Sequence, residues 1–238
     1  MTETCEYCGV VAEHVCRNKG DENTCLHGRI ESGPMAGLEV NKYKVIYADP
    51  PWSYKTYSKP DEGTVPHRTE DAPYESMTIE DLMKLPVHQV AAADCLLHMW
   101  VISSHIDQAL ALGQQWGFTY KSLGMIWVKT QKSDPAKPKM GMGKWFRQEA
   151  EVCLLFSCGK PKRLSAAERQ VILEPAREHS RKPDEARDRV ERLSEGPYLE
   201  MFARQTKEGW DAMGDQVGKF DFSKLITTAE KAEIDSLL

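Results

Sequence analysis

The chain has 238 residues, is 41% hydrophobic and 28% charged, and carries a net charge of −5. This length suffices for one sizeable core plus a small appendage, and no apolar run is long enough to span a membrane. The acidic balance argues against non-specific coating of a nucleic-acid duplex, so phosphate contacts should be local.

The N-terminus, Met-Thr-Glu-Thr-Cys, has neither the basic nor the apolar stretch of a signal peptide. Seven cysteines without such a signal point to a reducing, cytoplasmic setting. Residues 1–40 lack strand or helix periodicity. They hold Cys5-x2-Cys8, Cys16 and Cys25, with His14 and His27 as alternative donors. Four thiolates, or three with one histidine, would close a tetrahedral structural zinc site. A segment this short and polar would need metal or docking to fold. The alternative is a tail of free thiols.

Residues 43–48 read as the first core strand, stopped by Asp49-Pro50-Pro51-Trp52. In open α/β sheets, the carboxyl end of a strand is where ligands bind. These four residues suit methylation of an exocyclic amine on a nucleic-acid base. Such a nitrogen is a poor nucleophile, because its lone pair is delocalised into the ring. A carboxylate, Asp49, accepts one amine hydrogen, and a carbonyl, Pro50, accepts the other. Pro50 and Pro51 bring no competing N–H. The Asp49 charge also offsets the positive charge that develops on nitrogen. Trp52 offers a face for stacking, and the base must be flipped out or single-stranded to arrive. The same tetrapeptide would also serve as a strand-ending turn with a core tryptophan.

Residues 53–73 read as a long loop, of the kind that is usually functional or disordered. Thr78 should cap a helix, with Asp81 three positions on. Residues 95–101 read as a buried strand in which His98, like Cys95, is a core residue. Ser104 should cap a helix from His105 to Trp116, whose Ile106, Ala109, Leu110 and Leu112 recur at helical spacing. Strands follow at 118–128 and 150–157, the latter with Cys153 as core and Cys158 just past its end. Between them lie Lys129, Lys132, Lys137, Lys139, Lys144 and Arg147 among prolines and glycines that preclude a regular element. With Trp145 and Phe146, this stretch suits a loop that grips nucleic acid; otherwise it is a solvated connector. Val171–Leu173 is a short strand. Pro183 opens a helix to residue 193, with Asp184 and Glu185 at its positive end and Arg189 and Arg192 toward its negative end. Residues 198–203 form another strand. Trp100, Trp127 and Trp210 read as packing residues. Alternating strands and helices predict a mostly parallel sheet with helices on both faces.

Val45-Ile46-Tyr47-Ala48-Asp49-Pro50-Pro51-Trp52 resembles the catalytic motif of the DPPW-type adenine-N(6) methyltransferases, the MT-A seventy family. The similarity continues through Tyr74–Leu82, Cys95–Val101, Trp116–Phe118, Ile126–Lys129, Gly141–Arg147, Glu151–Phe156, His179–Glu185, Leu199–Arg204, Gly209-Trp210 and Gly214–Gln216, in the family's order. The resemblance, closest to phage or bacterial members, implies a Rossmann-like fold binding S-adenosylmethionine. Asp49, Pro50, Pro51 and Trp52 would be catalytic. Tyr74, Lys129, Lys144, Trp145 and Arg147 would meet the substrate, and His179 either substrate or cofactor. Asp49, Lys182, Phe202, Arg204, Asp215 and Gln216 would hold the cofactor. The chain departs from the family at Ala203, often Gly, at Asp215, often Asn, and at Gln205-Thr206-Lys207, where a His-Asn pair is absent. Asn donates and accepts while Asp only accepts, so Asp215 is the contact these departures touch most. The expected organisation is a Cys/His-rich segment over 1–40, a methyltransferase domain over 41–222 and a helical tail over 223–238. The expected substrate is DNA, with RNA or a non-catalytic nucleic-acid-binding role as alternatives; monomer and dimer both stay open.

Overall fold

The computed structural model describes residues 28–53, 76–141, 143, 145–177 and 181–218, with the backbone of 3–4 and 11–12. The 53–73 loop beyond Ser53 and the expected helical tail from 223 lie outside the described residues.

A two-residue antiparallel pair joins β1 (Glu3–Thr4) to β2 (Val11–Ala12). The main sheet has seven strands: β3 (Tyr43–Ala48), β4 (Ala91–Val101), β5 (Thr119–Thr130), β6 (Ala150–Cys158), β7 (Val171–Pro175), β8 (Tyr198–Met201) and β9 (Trp210–Met213). Their order is β7-β5-β6-β4-β3-β8-β9. Every pairing is parallel except the two made by β6, which runs against β4 and β5. The expected mostly parallel sheet is present, curled by one reversed strand.

Alternation in each strand feeds two cores. On one face, Ile46, Ala48, Leu97, Met99 and Val101 pack with Leu82 of α1 (Ile79–Met83), Val87 of α2 (Val87–Val90), and Ala109 and Leu112 of α3 (Ile106–Gln115). Ile30, Met35 and Val40 join this core, so its packing reaches N-terminal of residue 41. On the other face, Val45, Tyr47, Trp100, Trp127, Cys153 and Trp210 meet Ala186 and Val190 of α4 (Asp184–Leu193). The three tryptophans read as packing residues are 1%, 3% and 7% exposed, Trp100, Trp127 and Trp210 in that order. α3 lies close to the sheet because Gly113 leaves room for the Phe156 ring; a Cβ there would meet it at 2.3 Å.

Thr78 caps α1 as expected, accepting from the Asp81 N–H at 3.2 Å. Ser104 does not cap α3. A 3-10 turn over Ser103–His105 precedes the helix, and the Ser104 hydroxyl pairs with His105 Nδ1 at 2.8 Å. β8 ends two residues earlier than expected, because Phe202 turns into the left-handed region at φ 62. The short elements α2 and β9 carry too few residues to show a period in sequence.

From β3 the chain passes to β4 on one side, and much later returns as β8 on the other. The carboxyl ends of β3 and β8 therefore flank a topological switch point, where an open sheet leaves a crevice. Asp49 and Phe202 are the residues that leave those two ends.

Candidate active site

The turn after β3 is held by main-chain bonds. The Asp49 N–H donates to Met201 O at 3.4 Å, Trp52 N–H to Pro50 O at 2.8 Å and Met77 N–H to Pro51 O at 2.9 Å. The Pro50 carbonyl thus uses one lone pair internally and keeps its second. Trp52 is only 5% exposed, and its indole N–H donates to Trp100 O at 3.1 Å. This corrects the expectation of an open stacking face: Trp52 is a core anchor that fixes the turn. His105 Nε2 sits 3.0 Å from Ser53 O, which can only accept, so that nitrogen carries the hydrogen and Nδ1 accepts from Ser104.

Behind the turn lies a row of alternating charges. Lys182 Nζ is 2.7 Å from Asp49 Oδ2 and 3.3 Å from Glu151 Oε2, and Glu151 also pairs with Lys129. Three elements converge here: the residue before the Pro183 that caps α4, the start of β6 and the end of β5. Lys182 also sits over the Trp100 ring at 5.6 Å. Burial raises the Asp49 carboxyl above its ordinary range; Lys182 opposes this but does not cancel it. Burial also raises Glu151, yet Lys182 and Lys129 outweigh it and its net shift is downward. Burial alone would lower Lys182, but Asp49 and Glu151 hold it well above its usual value. The expectation for Lys182 stopped at proximity to ligands; the structure puts it on the Asp49 carboxylate. Glu151 was not singled out as a site residue, and its signal in sequence is an acid opening an apolar strand.

Two clefts flank this row. The first opens between β3, β8 and α4, and its wall includes Asp49, Lys182, Glu200, Phe202, Arg204 and Gln205. It continues along Pro50, Pro51 and Asp215. Phe202, Arg204 and Asp215 are thus gathered with Asp49 as expected, while half-buried Gln216 follows beside Asp215. Ala203 is buried and its N–H donates to Met213 O at 2.9 Å. Gly214 passes so close that a Cβ there would lie 2.7 Å from Ala203 O. Arg187 is bound to Glu200 at 2.9 Å and to Asp184 at 2.8 Å. Sequence reading missed Arg187, Glu200 and Gln205. The wall offers cations, carboxylates and an amide oxygen of Gln205 that has no hydrogen-bond partner. This donor set fits a ligand with both charged and hydroxyl groups, as the expected S-adenosylmethionine has.

The second cleft, about 160 Å³, lies beyond Glu151 and is lined by Ile102, Ser103, Lys129, Gly141, Gln148 and Glu151 among others. Gln148 Nε2 donates to Ser103 Oγ at 2.8 Å. Lys129 lines this cleft with its side chain turned onto Glu151 and 30% exposed. The open aromatic faces are Trp145 and Phe146, 87% and 86% exposed, with Arg147 exposed beside them. Tyr74, Lys144 and His179 lie outside the described residues, as do Cys5, Cys8, His14, Cys16, Cys25 and His27. Among the described residues, no group of three or more His, Cys, Asp or Glu side chains is placed to hold a metal. His98 is buried, as expected of a core histidine, but neither ring nitrogen has a partner. Cys95 and Cys153 are buried and Cys158 partly so.

Residues 43–216 match the MT-A70 family model. The Type II methyltransferase M.MunI of Mycoplasma sp is 29% identical over 87% of this chain and 91% of its own length. The N(6)-adenosine-methyltransferase MT-A70-like protein of Arabidopsis thaliana is 29% identical over 75% of this chain and 24% of its own. The human N(6)-adenosine-methyltransferase catalytic subunit METTL3 is 28% identical over 75% of this chain and 29% of its own. The chain thus spans nine-tenths of the bacterial relative and about a quarter of the eukaryotic ones.

Proposed function

Because the chain belongs to the MT-A70 family, we propose that it is a methyltransferase that moves a methyl group from S-adenosylmethionine to the exocyclic amine of adenine in nucleic acid. The observation that carries this reading is the position of Asp49: it leaves the inner strand β3 at the switch point, in the wall of the first cleft, and shares Lys182 with Glu151, which lines the second. The cofactor is assigned to the first cleft, with Asp49, Lys182, Phe202, Arg204, Asp215 and Gln216 as its holders, and supplies an electrophilic methyl group when bound. The target base is assigned to the side of the second cleft, with Trp145 and Arg147 gripping the strand that carries it.

In this reading Asp49 and the free lone pair of Pro50 O each accept an amine hydrogen and localise the nitrogen lone pair. As the methyl arrives, nitrogen becomes positive, and ionised Asp49 stabilises it across a short distance in a partly dry site. The product amine must lose a proton, and Asp49, whose burial favours the protonated form, is placed to take it. Lys182 keeps Asp49 ionised until the amine arrives. Full use of Asp49 then requires Lys182 to lean toward Glu151.

DNA is proposed as the favoured substrate: the compact chain matches the Type II methyltransferase M.MunI over 91% of that protein's length, but the N(6)-adenosine-methyltransferases over about a quarter of theirs. Residues 41–222 are proposed as the catalytic unit. The cysteines of residues 1–40 carry a separate proposal of structural zinc, which metal analysis showing far less than one zinc per chain would remove.

The test is transfer of labelled methyl from S-adenosylmethionine to unmethylated DNA and RNA, read by nucleoside mass spectrometry. Formation of 6-methyladenine in DNA, lost in Asp49→Ala, is the expected result. Activity of Asp49→Ala equal to wild type would refute the mechanism.

A further inference from the structure

Gln205 lies in the segment between β8 and β9, facing the start of α4. Its Nε2 donates to Asp184 Oδ1 at 2.9 Å. The amide orientation follows from its partner. Arg187 and Arg177 also donate to the Asp184 carboxylate, at 2.8 and 2.7 Å, and hold it well ionised. An ionised carboxylate only accepts, so the Gln205 nitrogen must face it and the oxygen must point away. That oxygen is buried, makes no hydrogen bond, and belongs to a side chain in the wall of the first cleft.

Other side-chain acceptors of that wall already face a donor. Asp49 is held by Lys182 at 2.7 Å and Glu200 by Arg187 at 2.9 Å. The Tyr47 hydroxyl accepts from the Trp100 indole N–H at 2.6 Å. A ligand arriving with hydroxyl or ammonium hydrogens therefore meets a wall rich in cations, in which Gln205 Oε1 is a buried side-chain acceptor with no hydrogen-bond partner. We propose that Gln205 is a cofactor-binding residue whose side-chain oxygen accepts a hydrogen from a hydroxyl or ammonium group of S-adenosylmethionine. The inference rests on the methyltransferase reading above. Asp184 acts through Gln205 as a positioning residue, since it fixes which end of the amide faces the cleft.

The test is calorimetric titration of the full chain with S-adenosylhomocysteine and with 5′-methylthioadenosine, which lacks the amino-acid end. Gln205→Met and Gln205→Leu keep bulk and remove the acceptor. The expected result is about tenfold weaker binding of S-adenosylhomocysteine to both variants, the size of one lost hydrogen bond, with unchanged melting of the ligand-free proteins. Parallel weakening toward 5′-methylthioadenosine assigns the contact to a ribose hydroxyl; unaltered binding of that probe assigns it to the ammonium. Affinity within twofold of wild type in both variants overturns the proposal. So does a fall in affinity matched by a fall in melting temperature, because Gln205 would then serve only to support Asp184. Failure of the wild type to bind S-adenosylhomocysteine would instead count against the methyltransferase reading itself.

Discussion

Replacing Glu151 by Gln should move the acid limb of the pH–rate profile downward. Asp49 Oδ2 and Glu151 Oε2 lie 2.7 and 3.3 Å from the same Lys182 Nζ, so these oxygens are at most about 6 Å apart. At an effective dielectric of about 20, two unit charges at that separation repel by about 3 kcal/mol. Both side chains are about a quarter exposed, and screening by water reduces the interaction to roughly half of that, about 1–2 kcal/mol. Glu151 raises the Asp49 carboxyl, so removing its charge lowers it, and Lys182 is left to Asp49 alone. The acid limb of kcat/KM reports ionisation of the free enzyme. It should therefore shift toward acid in Glu151→Gln. Lys182→Met should shift it the opposite way, because a buried carboxylate loses its cation. Methyl transfer to an adenine-containing oligonucleotide, followed across pH for wild type and both variants, measures this. An unmoved limb in Glu151→Gln, or shifts of the same sign in both variants, would refute the coupling through Lys182.

His98 titrates at about 4 because burial opposes its charged form. Its folded value lies below the unfolded value near 6.5, so the unfolded state takes up the proton first, and stability falls as pH drops from about 6.5 toward 4, by about 3 kcal/mol at most. Urea unfolding of wild type and His98→Leu at pH 7 and pH 5 tests this: the variant should lose most of the pH slope, and an equal slope in both proteins would contradict it. Gly113→Ala gains helix propensity of about 1 kcal/mol, but its Cβ would strike the Phe156 ring at 2.3 Å. The collision should win, with net destabilisation of about 1–2 kcal/mol by urea titration; a stabilised variant would show that α3 can lift off the sheet freely.

Much of the scaffold was legible because its causes are local. β-branched alternation over Tyr43–Ala48 and the proline pair after it fix a strand and its end without any distant partner. Thr78 and Asp81 mark the start of α1 in the same way. The errors share another origin. Ser104 has the right residue type for a cap, but the 3-10 turn and the His105 imidazole claim its hydroxyl. Trp52 carries a face suited to a base, yet the Trp100 carbonyl and the core under β4 take it inward.

The sequence by itself determined that an acid and two prolines stand at the end of an apolar strand, because a strand and its breaker are set by neighbouring residues. Only the tertiary structure decided what surrounds that acid. Asp49, Glu151 and Lys182 are far apart along the chain, and it is the reversed strand β6 and the docking of α4 that bring them within ion-pairing distance. Charge and burial at a site depend on separations in space, and those follow from the order in which the strands pack.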